Sequence, residues 1–139
     1  MKLLLDSNVW VAAFGIRGLC QQLVERAIAL DDSGAIELIL CPAVRKEVIR
    51  VLDHKFRLTA DEPARSEKVL DATAIVPDGG SQPGDDFPDP DDWPIVAAAL
   101  EAQADIFVSG DKALLALGTV EALPVLDPRA AYLRLRGLG

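Results

Sequence analysis

Histidine and cysteine are scarce in this 139-residue chain: one His and two Cys. Cys20 and Cys41 sit in apolar surroundings and show no metal-type spacing. They read as reduced core residues of a cytosolic protein, not as disulfide partners or zinc ligands. The lone His54, in "LDHKF", is given no catalytic role. Aromatic residues make up only 5% of the chain against 50% hydrophobic, so the core must be built mostly of Leu, Val, Ile and Ala. No apolar run is long enough to span a bilayer, and "MKLLLDSNVW" is interrupted by Asp6 and Asn8, which excludes a signal peptide as well. No internal repeat is visible. The length fits a single domain over residues 1–139 with a core of its own.

Positive charge is also in short supply. The net charge of −8 argues at first against a nucleic-acid partner. The distribution weakens that argument. Residues 1–58 carry eight Lys/Arg against seven Asp/Glu, residues 59–111 two against thirteen, and residues 112–139 four against two. The acidity is regional, and it peaks in "DDFPDPDD" (85–92), where five of eight residues are Asp.

What is present alternates strand with helix. The apolar "KLLL" (2–5) ends at Asp6 and predicts a buried parallel strand. After a loop containing "GIRG" (15–18), "LCQQLVERAIAL" predicts a helix and "AIELIL" (35–40) a second strand. Pro42 opens a helix that "AVRKEVIRVLDHKF" continues to Phe56, and "DEPARSEKVLDATA" predicts another before a short "AIV" (74–76). Residues 77–90, with four prolines and three glycines, form a loop. "DWPIVAAALEAQA" is helical, "DIFVSG" a strand, "DKALLAL" a short helix, "LPVL" a last strand and "PRAAYLRLR" a last helix. The expected fold is α/β, a three-layer α/β/α sandwich around a central, mainly parallel sheet.

Parallel sheets of this kind bind ligands beyond the carboxyl ends of their strands. Asp6 ends the first strand, and Asp111 follows "DIFVSG". Glu47 lies in the helix after the second strand, and Asp92 opens the helix before the fourth. Each acid alone has a plain structural explanation, as a helix N-cap for the aspartates or a solvated helix residue for Glu47. Together they can converge on one edge. Carboxylates about 4–6 Å apart repel by roughly 3 kcal/mol per pair at an effective dielectric of about 20, which calls for a cation or raised pKa values. Oxygen donors without His or Cys favour Mg²⁺ or Mn²⁺ over zinc.

The segments "LLLDSNVWVAAF", "CPAVRKEVIRVLDHKFRL", "DPDDWPIVAAALEAQADIFVSGDKALLAL" and "LPVLDPRAAYL" resemble a PIN-domain protein, in the right order over residues 2–133. More narrowly, they resemble the VapC-like toxins of bacterial toxin–antitoxin pairs. The resemblance places the family's acid tetrad on Asp6 of "DSN", Glu47, Asp92 and Asp111 of "SGD", with Asn8 and Ser109 as polar residues that arrange the site. It implies an Mg²⁺- or Mn²⁺-dependent endoribonuclease, cytoplasmic, held silent by a cognate antitoxin and assembled as a homodimer through a mainly helical interface. Asp6 would be the central ligand on a rigid strand end, with Asp92 and Asp111 beside it and Glu47 helping to deprotonate water. Ala113 departs from the pattern, because many relatives carry a further acid there. Asp89 and Asp91 read as cap and surrounding charge, and Trp93 as helix packing or an interface contact. RNA-contact candidates are Arg17, Arg45, Lys46, Arg50 and Lys112, each of which is equally well explained as scattered surface charge.

Two rivals remain. A receiver domain would need an acidic neighbour for Asp6 and a phospho-accepting Asp on a middle strand. A catalytically silent PIN-like scaffold would bind a protein partner through helical surfaces at residues 20–30 and 44–58.

Overall fold

The computed structural model describes residues 1–55 and 61–138, with the side chains of residues 61–64 left aside. In chain order the elements are β1 (Lys2–Leu5), α1 (Ser7–Gly15), α2 (Leu19–Asp32), β2 (Glu37–Leu40), α3 (Pro42–Lys55), α4 (Asp61–Asp71), β3 (Ala74–Ile75), α5 (Trp93–Glu101), β4 (Ile106–Val108), α6 (Lys112–Leu115), β5 (Thr119–Val120), β6 (Leu123–Leu126) and α7 (Pro128–Arg136). A single 3₁₀ turn, Pro90–Asp92, leads into α5. Phe56, to which the sequence reading carries the third helix, lies outside the described residues.

The six strands lie in the order β3-β2-β1-β4-β6-β5, all parallel except β5, which runs antiparallel to β6. This is the expected α/β sandwich. β1 is central, with a strand on each side and helices over both faces, so Leu3, Leu4 and Leu5 are all fully buried. That explains why "KLLL" shows no alternation. The chain leaves β1 in one direction for β2 and β3, then crosses to the other side for β4 and β6. The order therefore reverses between β1 and β4, and such a reversal leaves a crevice beyond the carboxyl ends of the two strands.

Two elements differ from the sequence reading. Residues 7–15, left without an assignment there, form α1, capped by Asp6, whose carboxylate accepts from the Ser7 backbone N–H at 2.8 Å. Its "VWVAAF" core packs against the sheet and against α2 and α3, with Val9 and Trp10 buried. A helix apolar on several sides carries no 3.6-residue polar period to detect. β5 escapes for another reason. It is two residues long, and its hairpin turn, Glu121–Ala122, lacks the Asn-Gly or Asp-Gly pair that advertises such a turn.

Both turn residues take positive φ, 46° at Glu121 and 74° at Ala122. That geometry costs a residue with a Cβ about 1–2 kcal/mol. Ala122→Gly relieves the strain and loses part of the gain to the unfolded chain. The expected net gain is about 0.5–1 kcal/mol, a rise of about 2–3 °C in Tm for a domain of this size. A thermal melt followed by circular dichroism checks it, and a fall in Tm would contradict the turn assignment.

Candidate metal centre

The β1–β4 pairing puts Leu5 opposite Val108, so the next residues, Asp6 and Ser109, leave the sheet side by side. The Asp6 backbone N–H donates to Val108 O at 2.8 Å, which fixes the strand end before the chain turns into α1. Asp6 is only 7% exposed. Its carboxylate accepts from the Ser109 hydroxyl at 2.8 Å and more loosely from Asn8 Nδ2 at 3.3 Å, besides the Ser7 N–H. Ser109 is fully buried, and its hydroxyl oxygen accepts from the Asp111 N–H at 3.0 Å. Asn8 Oδ1 accepts from the Gly110 N–H at 2.9 Å. Asn8 and Ser109 thus lace the end of β1 to the loop after β4. The Ser7 and Gly110 backbone donors complete the lattice, and no residue-type signal in the sequence marks them.

The three aspartates meet at this edge in different ways. Asp111 caps α6 by accepting from the Ala113 N–H at 2.9 Å. Asp6 caps α1, as described. Asp92 stands at the cap position of α5 yet its side chain makes no capping bond. Its neighbour Asp89 does the capping of the 3₁₀ turn, accepting from the Asp91 N–H at 3.0 Å. Helix capping therefore accounts for Asp6 and Asp111 in part and for Asp92 not at all.

Burial raises the pKa of Asp6 above its usual 3.8, against the lowering pull of its hydrogen bonds to Ser109 and Ser7, and the charge of Asp111 raises it further. Asp92 is pushed up to about 6, first by burial and then by the charges of Asp6, Asp89, Asp111 and Asp91. Among the described residues, no ion pair engages Asp6, Asp92 or Asp111. Negative charge is thus concentrated here without a protein counter-charge.

Glu47 is placed differently. Its carboxylate is held by the Arg50 guanidinium at 2.8 and 3.2 Å, one turn along α3. That bond lowers its pKa from 4.5, against a smaller opposing effect of burial. Glu47 faces the start of α1, lining one groove with Ser7 and Asn8. Among the described residues, no three Asp, Glu, His or Cys side chains form a ready-made metal cage. The donor set is all oxygen, and among the described residues no cation pairs with these aspartates, so the residues fit a hard divalent cation by charge and chemistry.

The cationic candidates scatter. Arg50 is taken up by Glu47, and Arg45 pairs with Asp71 at 2.7 Å. Lys46 and Lys112 are exposed, the latter next to Asp111. Arg17 is exposed beyond the far end of α1 from Asp6. Trp93 is a packing residue: it is 5% exposed, meets Phe87 edge to face at 4.9 Å, and donates its indole N–H to Ser81 O at 2.7 Å. That bond and one from the Gly79 N–H to Pro94 O at 2.9 Å fasten the 77–92 loop to α5. They carry Asp92 to the edge.

Because folding raises the Asp92 pKa from 3.8 to about 6, the folded protein binds this proton more tightly than the unfolded chain. The stabilising contribution is complete below about pH 4 and is lost as pH climbs through about 6. Without divalent metal, Asp92→Asn should therefore melt above wild type at pH 7.5. Discounted for the side chain's partial exposure, the gain is about 1 kcal/mol, or about 2–4 °C. The difference should vanish near pH 4. Melts in EDTA from pH 4 to 8 check it, and a variant less stable than wild type at pH 7.5 would contradict the assigned charge crowding.

A family model described as PIN domain matches residues 2–113 of the chain. That span takes in all four acids, together with Asn8, Ser109 and the loop that carries Asp92. No curated protein matches the chain.

Proposed function

We infer that this chain, which belongs to the PIN-domain family, is a divalent-metal-dependent endoribonuclease. PIN domains are generally nucleases that use divalent metal ions; RNA as substrate, Mg²⁺ or Mn²⁺ as the ion and a toxin role are the further steps we infer. The observation that carries it is the carboxylate edge at the β1–β4 reversal, which no ion pair compensates among the described residues, with the Asp92 side chain making no capping bond and its pKa raised to about 6. Asp6, Asp92 and Asp111 are the residues that would hold the ion. When bound, Mg²⁺ or Mn²⁺ supplies positive charge to the attacked phosphodiester and acidifies water.

The protein's own groups do the rest. Ser109 and Asn8 hold the Asp6 carboxylate in one orientation, as hydrogen-bond partners of acidic ligands do. The loop fastened to α5 delivers Asp92, and the turn after β4 delivers Asp111. Glu47, kept ionised by Arg50, accepts the proton of the attacking water. Lys112, exposed beside Asp111, draws the phosphate backbone toward an otherwise acidic surface. The toxin role, the antitoxin partner and the homodimer follow from the likeness of the motifs to VapC-like toxins.

The silent scaffold keeps two observations in its favour: Glu47 is committed to Arg50, and among the described residues the acids are not closed into a cage. Incubating the protein with a pool of single-stranded RNA in Mn²⁺, in Mg²⁺ and in EDTA separates the two. Cleavage in either metal that stops in EDTA supports the nuclease. Intact RNA under all three conditions, with a protein that still melts cooperatively, leaves the scaffold.

A further inference from the structure

A groove of about 460 Å³ runs from the carboxylate edge between α1 and α3. Its two walls are stripes in step. On α3, Glu47, Val51 and Lys55 stand four residues apart, on one helix face. On α1, the matching levels are Ser7 with Asn8, Val11 with Ala12, and Gly15 with Ile16. The head of the groove is polar and adjoins Asp6. The middle is aliphatic, and the foot holds the exposed Lys55 beside Ile16, which is 70% exposed. Arg17, the next residue, is also exposed. From Glu47 to Lys55 the groove extends about 12 Å along the helix axis.

We propose that this groove takes the strand of RNA that flanks the cleavage point: unstacked nucleosides lie along Val11, Ala12 and Val51, and the second phosphate beyond the cleavage point meets Lys55. The proposal rests on the nuclease reading, which puts the scissile phosphodiester at the head. Charge complementarity favours this occupant. The acid of the groove, Glu47, is at the head, where a divalent cation would offset it, and its cation, Lys55, is at the foot. An aliphatic floor can accept the flat face of a base only when that base is out of its stack, which selects single-stranded over duplex RNA. Among the described residues, the middle of the groove offers no polar side chain to read a base edge. The position is therefore tolerant of sequence, and specificity must be set elsewhere.

The test uses a fluorescein-labelled ten-nucleotide uridine RNA, with binding followed by anisotropy in Ca²⁺ and cleavage kinetics in Mn²⁺. Lys55→Gln should reduce the slope of log K against log[salt] by about 0.7, the value for one phosphate contact on a single strand. Ile16→Asp, an exposed substitution that the fold tolerates, should weaken binding about tenfold and raise KM by a similar factor with kcat within about twofold. Arg129→Gln, the same charge change on α7, should leave the slope unaltered. Wild-type cleavage with unchanged slope and KM in Lys55→Gln and Ile16→Asp would overturn the groove and spare the nuclease reading. Loss of self-association in Ile16→Asp at unchanged RNA affinity, seen by sedimentation, would assign the groove to a second copy of the chain and overturn the proposal. A wild type that neither cleaves RNA nor gains thermal stability from Mn²⁺ would overturn the nuclease reading and the groove with it.

Discussion

Asp6→Asn should reduce metal-stimulated RNA cleavage by on the order of a thousandfold and leave the protein folded. Three donors converge on this carboxylate, from Ser7 N, Ser109 Oγ and Asn8 Nδ2. They hold one anionic group at the place where β1 and β4 diverge. Asparagine keeps the shape and an oxygen acceptor for the Ser7 N–H; it removes the charge and turns the oxygen that accepts from Ser109 and Asn8 into an NH2 donor, so those two bonds must rearrange. On the proposed nuclease function, several kcal/mol of transition-state stabilisation would depend on a metal held there, and that is the origin of the expected factor. Stability should change little, because burial already disfavours the ionised form of Asp6 in the metal-free protein. Cleavage within about tenfold of wild type, at a normal melting temperature, would remove Asp6 from the site. Ser109→Ala, which loosens the carboxylate without removing it, should cost less, about 10–100-fold in metal affinity.

Gly79→Ala should lower the melting temperature by about 8–10 °C, the largest stability loss expected from a single added methyl group. A Cβ on Gly79 would stand 2.1 Å from Ala97 Cβ, 2.5 Å from the Ala97 carbonyl carbon and 2.7 Å from the Ala98 nitrogen. Two of these are backbone atoms inside a buried helix and cannot give way. The 77–92 loop must lift off α5 instead, breaking the Gly79–Pro94 bond and exposing apolar surface, at about 3 kcal/mol. The same movement misplaces Asp92, so the variant should also lose most of its stabilisation by Mn²⁺. Gly80→Ala is the control. Nothing lies within 4 Å of its Cβ, and its melting temperature should stay within about 2 °C of wild type. Equal effects at the two glycines would contradict the close approach to α5.

The elements that could be read from the chain are those whose burial is simple. "KLLL" and "DIFV" are buried on both faces and announce themselves as continuous apolar runs. The acids after them were legible because a residue just past a parallel strand must emerge at the sheet's carboxyl edge. α1 was not legible, because its apolar surface faces the sheet and two helices at once and leaves no period. The meeting of Asp6 with Ser109 depends on strand order, which places β4 beside β1 from a hundred residues away, and local pattern carries no such information. Glu47 and Arg50 stand three residues apart in plain view. That they pair rather than diverge is decided by side-chain geometry on α3. Gly79 is one of three glycines in residues 77–90 and nothing local distinguishes it; its constraint comes from Ala97, which the fold sets against it.

Thermal melting in EDTA against a Mn²⁺ series tests most directly whether the edge formed by Asp6, Asp92 and Asp111 holds a divalent cation. Ion binding to the folded protein alone at about 100 times its Kd contributes about 2.7 kcal/mol, a rise of about 8 °C in wild type. Asp92→Asn should start higher in EDTA at pH 7.5 and rise far less with Mn²⁺, so that the two melting curves cross. Equal Mn²⁺ responses in wild type and Asp92→Asn, or none in either, would contradict the metal centre.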